Sequence, residues 1–383
     1  MNILFLSSWY PNKTTPTNGD FVQRHAQAVS TKHTVTVLHV AYDSTLTHTR
    51  IQINEEISEN LYQRIVYFSL PSYFSFLKKI WFIFIYLQQY KAITKKNGTP
   101  SIIHANVLFP IGIVAIILQK IYSIPVVVSE HWHGYLSESG HVIAPFQLRI
   151  IRFLANRVQA ILPVTHHMQK SLQKLQIGHT YYVVPNVVDT QIFSPQPSKR
   201  NLNPFDFIHI STLKDDTKNV SGILRAIAEL HKTRKDFRLN IVSENTNKDL
   251  EEYVHTLHIE HIVTFCGYKN RKELSDMMQA SIALLLFSNY ESLPCVIVEA
   301  FASGLPVIST HVGGISEHLN SDKGILIPKG DETALVNAMK TVLENHTTYN
   351  AELLAAYAQQ EFSYNAIAEK FDAVYTQILK HRC

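Results

Sequence analysis

Cysteine is scarce, with three in 383 residues: Cys266, Cys295 and Cys383. They stand far apart, form no CxxC motif and have no histidines at metal-ligand spacing. That excludes a disulfide scaffold and a structural zinc site, and it fits a reducing compartment. Long apolar runs are also missing; the run 80–87 is far too short to span a bilayer. No secretory leader is evident, because Met1-Asn2 leads straight into an apolar, strand-like segment without a basic stretch or a small-residue cleavage site. The expectation is a cytoplasmic protein, peripheral on the inner face of the cytoplasmic membrane where it meets lipid at all. Low-complexity tracts and short repeats are absent. Charge is modest: 17% of residues are charged and the net charge is +4. This mild basicity suits an anionic small ligand or a membrane surface, and is too weak to argue for nucleic acid.

What is present is a globular composition, 46% hydrophobic, in a chain long enough for two cores. Short Val/Ile-rich runs at 3–8, 34–40, 101–106, 125–130, 159–164 and 181–185 lack polar alternation, as strands buried on both faces do. Segments of helical length separate most of them. Repeated strand–helix units imply a doubly wound parallel sheet. Residues 51–53 and 65–67 read as an extra antiparallel pair or an irregular insertion. Three prolines within 194–204 suit an interdomain linker. A second series of strands follows at 205–211, 237–243, 262–267, 282–287, 306–310 and 324–328, and a long helix at 363–380 closes it. The expected organisation is an N-terminal domain (1–193), a linker (194–204), a C-terminal domain (205–362) and a last helix (363–383).

The strongest chemical signal is the stretch from Tyr290 to Glu317. A strand at 282–287 runs into a polar loop holding Glu291. Pro294 is well placed to open a helix that carries Glu299, and Gly304 to cap its end. Another strand follows, and Gly313-Gly314 opens the next loop. Both loops fall at the carboxyl ends of parallel strands, where open sheets bind ligands. The glycine pair permits close backbone approach, and a following helix N-terminus would favour phosphate. Ionised carboxylates accept several hydrogen bonds and can grip sugar and ribose hydroxyls. Taken alone, two glutamates so spaced are usually solvated helix carboxylates.

This stretch resembles the retaining glycosyltransferases of family GT4, with two glutamates separated by seven residues, then Ala-x-Ala/Ser-x-Gly-x-Pro-Val, then Gly-Gly-x-x-Glu. The resemblance runs along nearly the whole chain: Trp9-Tyr10-Pro11 through Asn18-Gly19-Asp20, Ile103-His104-Ala105, 125–131, Val184-Pro185-Asn186 through Asp189, and 324–331. It implies an α/β GT-B fold, two Rossmann-like doubly wound domains facing across a cleft that closes on its donor. Family roles map onto this chain as follows. Glu299 binds the nucleotide ribose, and Glu291 binds donor-sugar hydroxyls. Leu293 and the backbone around Gly313, Gly314, Ile315 and Gly19 approach the diphosphate or sugar. His131 sits beside the donor sugar, with His133 a rival for that place and His104 a strand-end packing residue. Lys218 neutralises the diphosphate leaving group. One departure stands out: Thr212 occupies the position of the family's arginine, which pairs with the same diphosphate, and Lys214 is the nearest cation that could compensate. Val187 likewise replaces a family glycine.

The implied reaction moves a hexose-type sugar from a nucleotide-diphosphate sugar to a glycan or lipid-linked acceptor in bacterial surface-polysaccharide assembly, with retention and without a metal or other cofactor. Asp215-Asp216 is the one acidic pair near the site and lies on the lysine loop. A GT-B sugar-nucleotide epimerase, or a degenerate nucleotide-sugar-binding subunit motivated by Thr212, are the alternatives. The segment 72–96 is aromatic and basic (Tyr73, Phe74, Phe76, Trp81, Phe82 and Phe84 among lysines). It reads either as a core helix with a polar edge or as an interfacial helix on anionic lipid, with Arg149, Arg152 and Arg157 adding to a basic face.

Overall fold

The computed structural model describes residues 1–46, 51–70 and 77–380. Tyr73, Phe74 and Phe76 of the aromatic segment, and Cys383, lie outside the described residues. The chain divides into two compact units. The first holds Met1–Tyr135, His141–Val187 and the chain from Tyr364 onward; the second holds Leu136–Gly140 and Val188–Ser363.

Unit 1 is built on a seven-stranded sheet in the order β3-β4-β2-β1-β5-β6-β7. The strands are β1 (Asn2–Ser7), β2 (Thr34–Tyr42), β3 (Ile51–Ser58), β4 (Leu61–Phe68), β5 (Ile102–Asn106), β6 (Val126–Glu130) and β7 (Ala160–Pro163). Its helices are α1 (Asp20–Ser30), α2 (Lys78–Asn97), α3 (Ile111–Tyr122), α4 (Pro145–Ala155) and α5 (His166–Lys174), joined by the last helix, Tyr364–Lys380. The central strands are buried along their whole length, which explains their unbroken apolar runs. Ile3, Phe5, Val22, Ala26 and Val35 share a core with Ile367, Phe371 and Tyr375 of the last helix.

The segments 51–53 and 65–67 do pair antiparallel, as part of a longer hairpin whose second strand joins β2 in parallel. Strand β3 forms the sheet edge and is largely exposed, and Glu55 and Glu56 on it discourage further strand addition. Residues 181–185 depart from expectation. They make one isolated bridge, Ile161 to Tyr181, and then run beside β7 without becoming a strand. Val184 still donates its N–H to the Pro163 carbonyl at 3.1 Å, so the segment lines the sheet edge, and Pro185 has no N–H with which to continue a ladder.

Unit 2 carries a six-stranded, wholly parallel sheet in the order β10-β9-β8-β11-β12-β13. The strands are β8 (Phe205–Ile210), β9 (Phe237–Val242), β10 (Val263–Phe265), β11 (Ala283–Leu286), β12 (Val307–Thr310) and β13 (Gly324–Ile327). Its helices include α6 (Asp215–Lys218), α7 (Val220–His231), α8 (Lys248–Thr256), α9 (Arg271–Ala280) and α10 (Cys295–Ala302). The proline-rich stretch 194–204 lies inside this unit. Gln279 of α9 donates to the Ser194 carbonyl at 2.8 Å, and the Asn201 N–H reaches the Ala280 carbonyl at 2.8 Å. The division between units therefore falls earlier than the prolines, at Val187/Val188.

Strand order reverses between β8 and β11 in unit 2, and between β1 and β5 in unit 1. Loops leaving the carboxyl ends of such strand pairs diverge and leave a crevice for ligands. Among the described residues, no helix is long and apolar enough to cross a membrane.

Candidate active site

In unit 2, Lys218 ends the short helix α6 that follows β8 and Glu291 lies in the loop after β11, so the two arrive from opposite sides of the switch point. Lys218 Nζ donates to Glu291 Oε1 at 2.5 Å, and Ser288 Oγ donates to the same oxygen at 2.8 Å. Both partners are largely withdrawn from solvent, their side chains 18% and 10% exposed. Partial burial matters, because such a pair is screened far less than a surface ion pair.

Backbone contacts hold the loops together. The Asn289 N–H donates to the Thr217 carbonyl at 2.7 Å, and the Asn289 side chain to the Asp216 carbonyl at 2.9 Å. Thr217 Oγ1 and the Tyr290 hydroxyl pair at 2.9 Å. Thr310, at the end of β12, donates to the Ser288 carbonyl at 2.7 Å. Gly313 completes the arrangement. Its φ is +56°, and a Cβ there would lie 1.8 Å from the Glu291 carbonyl oxygen. The neighbouring Gly314 N–H donates to the Ser292 carbonyl at 3.0 Å. Glycine is thus demanded both by backbone conformation and by contact.

The chain after Gly314 departs from expectation. Ile315–Glu317 forms a single 3-10 turn, so no α-helix N-terminus stands behind the glycine pair. Helix α10 does begin directly after Pro294, and Gly304, at φ +70°, follows its end. Glu299 lies on α10 and is 2% exposed; with Glu291 also buried, neither is a solvated helix carboxylate. Leu293, close after Glu291, and Ile315, directly after Gly314, are also buried.

Thr212 is exposed, and its carbonyl accepts from the Asn245 side chain at 3.3 Å. The next residue, Leu213, holds a left-handed φ of +56°. That conformation costs a non-glycine residue about 1 kcal/mol or more. Ser211 Oγ accepts the Leu213 N–H at 3.1 Å, and Asn247 donates to the Leu213 carbonyl at 3.1 Å. Behind them, His209 Nδ1 meets the Leu285 carbonyl and Nε2 meets Ser211 Oγ, each at 2.8 Å. Since a carbonyl only accepts, the proton sits on Nδ1 and Ser211 donates to Nε2. Burial, aided by the Lys218 charge, pulls this imidazole down to about 4. Asp215 serves the local fold, accepting the Ser221 N–H and hydroxyl at 2.8 and 2.7 Å. Lys214 is exposed and precedes α6.

The remaining sequence candidates lie in unit 1. Gly19 caps α1 with φ +78°, and a Cβ there would lie 2.3 Å from the Trp9 carbonyl carbon, so close packing of the first loop requires glycine. His131 follows β6. Its ring centroid lies 4.4 Å from Phe21 and 5.3 Å from His25, and its buried Nε2 has no hydrogen-bond partner among the described residues. Burial, with His25 and His104 nearby, holds it well below the usual histidine range, so it is neutral at pH 7. His133 is exposed in a 3-10 turn. His104 is a packing residue: fully buried, it pairs with the Tyr375 hydroxyl at 2.6 Å and Ser129 Oγ at 2.8 Å.

Sequence reasoning passed over Glu130. This buried carboxylate accepts the N–H groups of Leu108, His131 and Trp132 at 2.9–3.0 Å and so fixes the loop that carries His131. Desolvation outweighs those three donors and pushes it up to about 7. Ser288, Thr310 and His209 were also missed. Of these, His209, which with Asp206 breaks the apolar run of β8, left a trace that could have been read.

Comparison with known proteins agrees with this arrangement. The family model described as Glycosyltransferase Family 4 matches residues 21–192, and that described as Glycosyl transferases group 1 matches 190–361. A putative colanic acid biosynthesis glycosyltransferase, WcaL of Escherichia coli K12, is 27% identical over 239 residues, which span 60% of this chain and 58% of that protein. The N-acetyl-alpha-D-glucosaminyl L-malate synthase of Bacillus anthracis is 24% identical over 293 residues, 73% of this chain and 75% of the relative. Among solved structures, a sucrose-phosphate synthase from Thermosynechococcus elongatus superposes with a TM-score of 0.80 at 17% identity, covering both chains fully. Anabaena HepE in complex with UDP and glucose gives 0.74 at 20% identity over 98% of this chain and 100% of that one. The two structural likenesses establish the fold, the two family models together span nearly the whole chain, and the chain belongs to the group 1, family 4 glycosyltransferases of GT-B fold.

Proposed function

We propose that the protein transfers a hexose-type sugar, with retention of anomeric configuration, from a nucleotide-diphosphate sugar to a glycan or lipid-linked acceptor in bacterial surface-polysaccharide synthesis. The observation that carries this reading is the Lys218–Glu291 pair, held across the switch point of unit 2 against the Gly313 backbone. A donor diphosphate brings negative charge that competes with Glu291 for the ammonium. Once Lys218 turns to the phosphate, Glu291 is free to accept hydrogen bonds from sugar hydroxyls, still steadied by Ser288. As the glycosidic bond breaks, positive charge grows at the anomeric carbon and negative charge on the departing phosphate. Lys218 stabilises the latter, which is where a fixed cation lowers the barrier most. The acceptor hydroxyl attacks from the face the phosphate leaves, and its proton passes to a phosphate oxygen. Glu299 holds the ribose.

The proposal assigns the leaving-group charge to Lys218 rather than to a divalent metal, which agrees with the structural employment of Asp215. Of the named relatives, WcaL and HepE bear most directly on acceptor and donor, since one is named for colanic acid biosynthesis and the other was solved with UDP and glucose.

A thermal-shift screen over nucleoside diphosphates and their sugars tests the donor site, because a ligand bound only by the native state raises its melting temperature. The expected hit is a nucleotide-diphosphate sugar, with no requirement for added magnesium. NMR of the product should then show the donor's anomeric configuration. An inverted product, or activity abolished by EDTA, would overturn the mechanism.

A further inference from the structure

Charge is distributed very unevenly in unit 1. Its residues 61–135 and 141–187 hold twelve Lys/Arg and one Asp/Glu, although the whole chain carries only +4. That one acid, Glu130, is buried. Helices α2, α3 and α4 contain no acidic residue at all. They pack side by side, α3 between α2 and α4. Tyr90 of α2 packs at a tilt against Tyr122 of α3 with centroids 4.7 Å apart, and Gln119 of α3 donates to the Arg157 carbonyl at 3.1 Å.

The solvent side of this layer is apolar as well as basic. On α4, Phe146, Arg149 and Phe153 fall at positions i, i+3 and i+7 and line one outward stripe, which Arg157 extends just past the helix. Phe146 is 74% exposed and Phe153 49%. The Arg157 guanidinium lies over the Phe153 ring at 3.4 Å. On α2, Ile80, Trp81 and Phe84 form an exposed patch over the first two turns, Ile80 63% and Phe84 52% exposed, with Lys91 and Lys95 further along the same side. Helices that follow strands begin at the carboxyl edge of the sheet, so Phe146 and the Ile80, Trp81 and Phe84 patch lie toward the edge from which ligand-binding loops emerge.

We infer that the α2–α3–α4 layer of unit 1 is a docking surface for an anionic lipid bilayer. Soluble proteins seldom display several exposed aromatic side chains on one basic, acid-free layer. Aromatic rings beside lysine and arginine suit the headgroup region, where the rings sit at the acyl boundary and the cations meet lipid phosphate. A soluble polyanion would use the charges and leave the rings in water. The layer also answers the expectation for α2: its second half is a core helix, with Ile85, Tyr86, Tyr90 and Ile93 buried, and its first two turns are the interfacial part. The inference rests on the surface alone, so its failure would leave the transfer reading standing.

Flotation of the full chain with vesicles of phosphatidylcholine, with and without 30% phosphatidylglycerol, tests it. Each basic residue near an anionic surface raises partitioning about fivefold, so three engaged cations give about a hundredfold preference for the anionic vesicles at low salt. Phe84→Ser and Phe146→Ser should each cut binding by roughly tenfold, since each removes a ring from the acyl boundary. Tyr268→Ser and Leu353→Ser, at exposed positions of unit 2, should leave it unchanged. Trp81 emission should shift to the blue on vesicle addition, and Trp81→Phe should remove that shift. Equal binding to both vesicle types, or none, overturns the inference. So does retention of binding in the serine variants, or release by heparin with no blue shift, which would mark the layer as a soluble-polyanion site.

Discussion

Replacing Gly313 by alanine perturbs the site through one methyl group. A Cβ at this position would lie 1.8 Å from the Glu291 carbonyl oxygen and 2.8 Å from its carbonyl carbon. Contacts of that kind require about 3.2 Å or more, so the Glu291 loop must retreat by roughly 1 Å even after relaxation is shared. Left-handed backbone adds about 1–2 kcal/mol of strain. Overpacking contributes about 1–3 kcal/mol more, for a loss of about 2–5 kcal/mol of stability. The functional cost is larger than the stability cost implies. A displacement of about 1 Å at a positioning group lowers turnover about a hundredfold. Gly330→Ala is the matched control: its φ is +74°, yet nothing lies within 4 Å of its Cβ. It should lose about 1–2 kcal/mol from strain alone and keep full turnover. Steady-state rates of nucleoside diphosphate release, with melting temperatures for both variants, separate the two effects. Wild-type turnover in Gly313→Ala, or equal losses in both variants, would refute the reasoning.

Lys218→Ala should lower kcat about 10²–10³-fold, the usual cost of one transition-state electrostatic contact; a change in KM alone would show that the lysine binds and does not catalyse. Glu299→Ala should weaken nucleoside diphosphate binding about 10–100-fold, the worth of hydrogen bonds to a charged group, and calorimetry reads this directly. Acid should destabilise the fold steeply. His25, His39 and His209 are buried and held near 4, against about 6.5 unfolded. Because their folded values are depressed, their contribution is present above pH 6.5 and is lost as pH falls toward 4, about 2 kcal/mol each by pH 5. Denaturant melts at pH 7, 6 and 5 should show this slope, and His39→Gln should flatten it; a pH-independent midpoint contradicts the assignment.

Much of the fold was legible because burial on both faces writes an unbroken apolar run, as in β5, β6 and β11. The hairpin β3–β4 was readable as an antiparallel pair, but its length was not, because the exposed edge strand carries glutamates where an apolar face would have marked its limits. Residues 181–185 look like another buried strand from Tyr181 to Val184. Composition does not reveal that they run along a sheet edge with a proline at the end. The glycine pair was recognisable as a tight loop, yet the 3-10 turn after it depends on contacts that no local propensity fixes. Glu291 and Glu299 could be singled out as candidates from spacing and resemblance. That Lys218 grips Glu291 could not be read, because 73 positions separate them and only the strand order brings their loops together. Glu130 was visible as a residue and invisible as a brace, since its partners are backbone N–H groups, which have no sequence signature.

Donor turnover in Glu291→Gln is the most direct test of the site. The substitution keeps size and one acceptor oxygen but removes the charge that pairs with Lys218. With a nucleotide-diphosphate sugar and acceptor, the wild-type chain should release nucleoside diphosphate, and the variant should do so at least a hundredfold more slowly while melting within a few degrees of wild type. Equal rates in the two proteins would place the chemistry elsewhere.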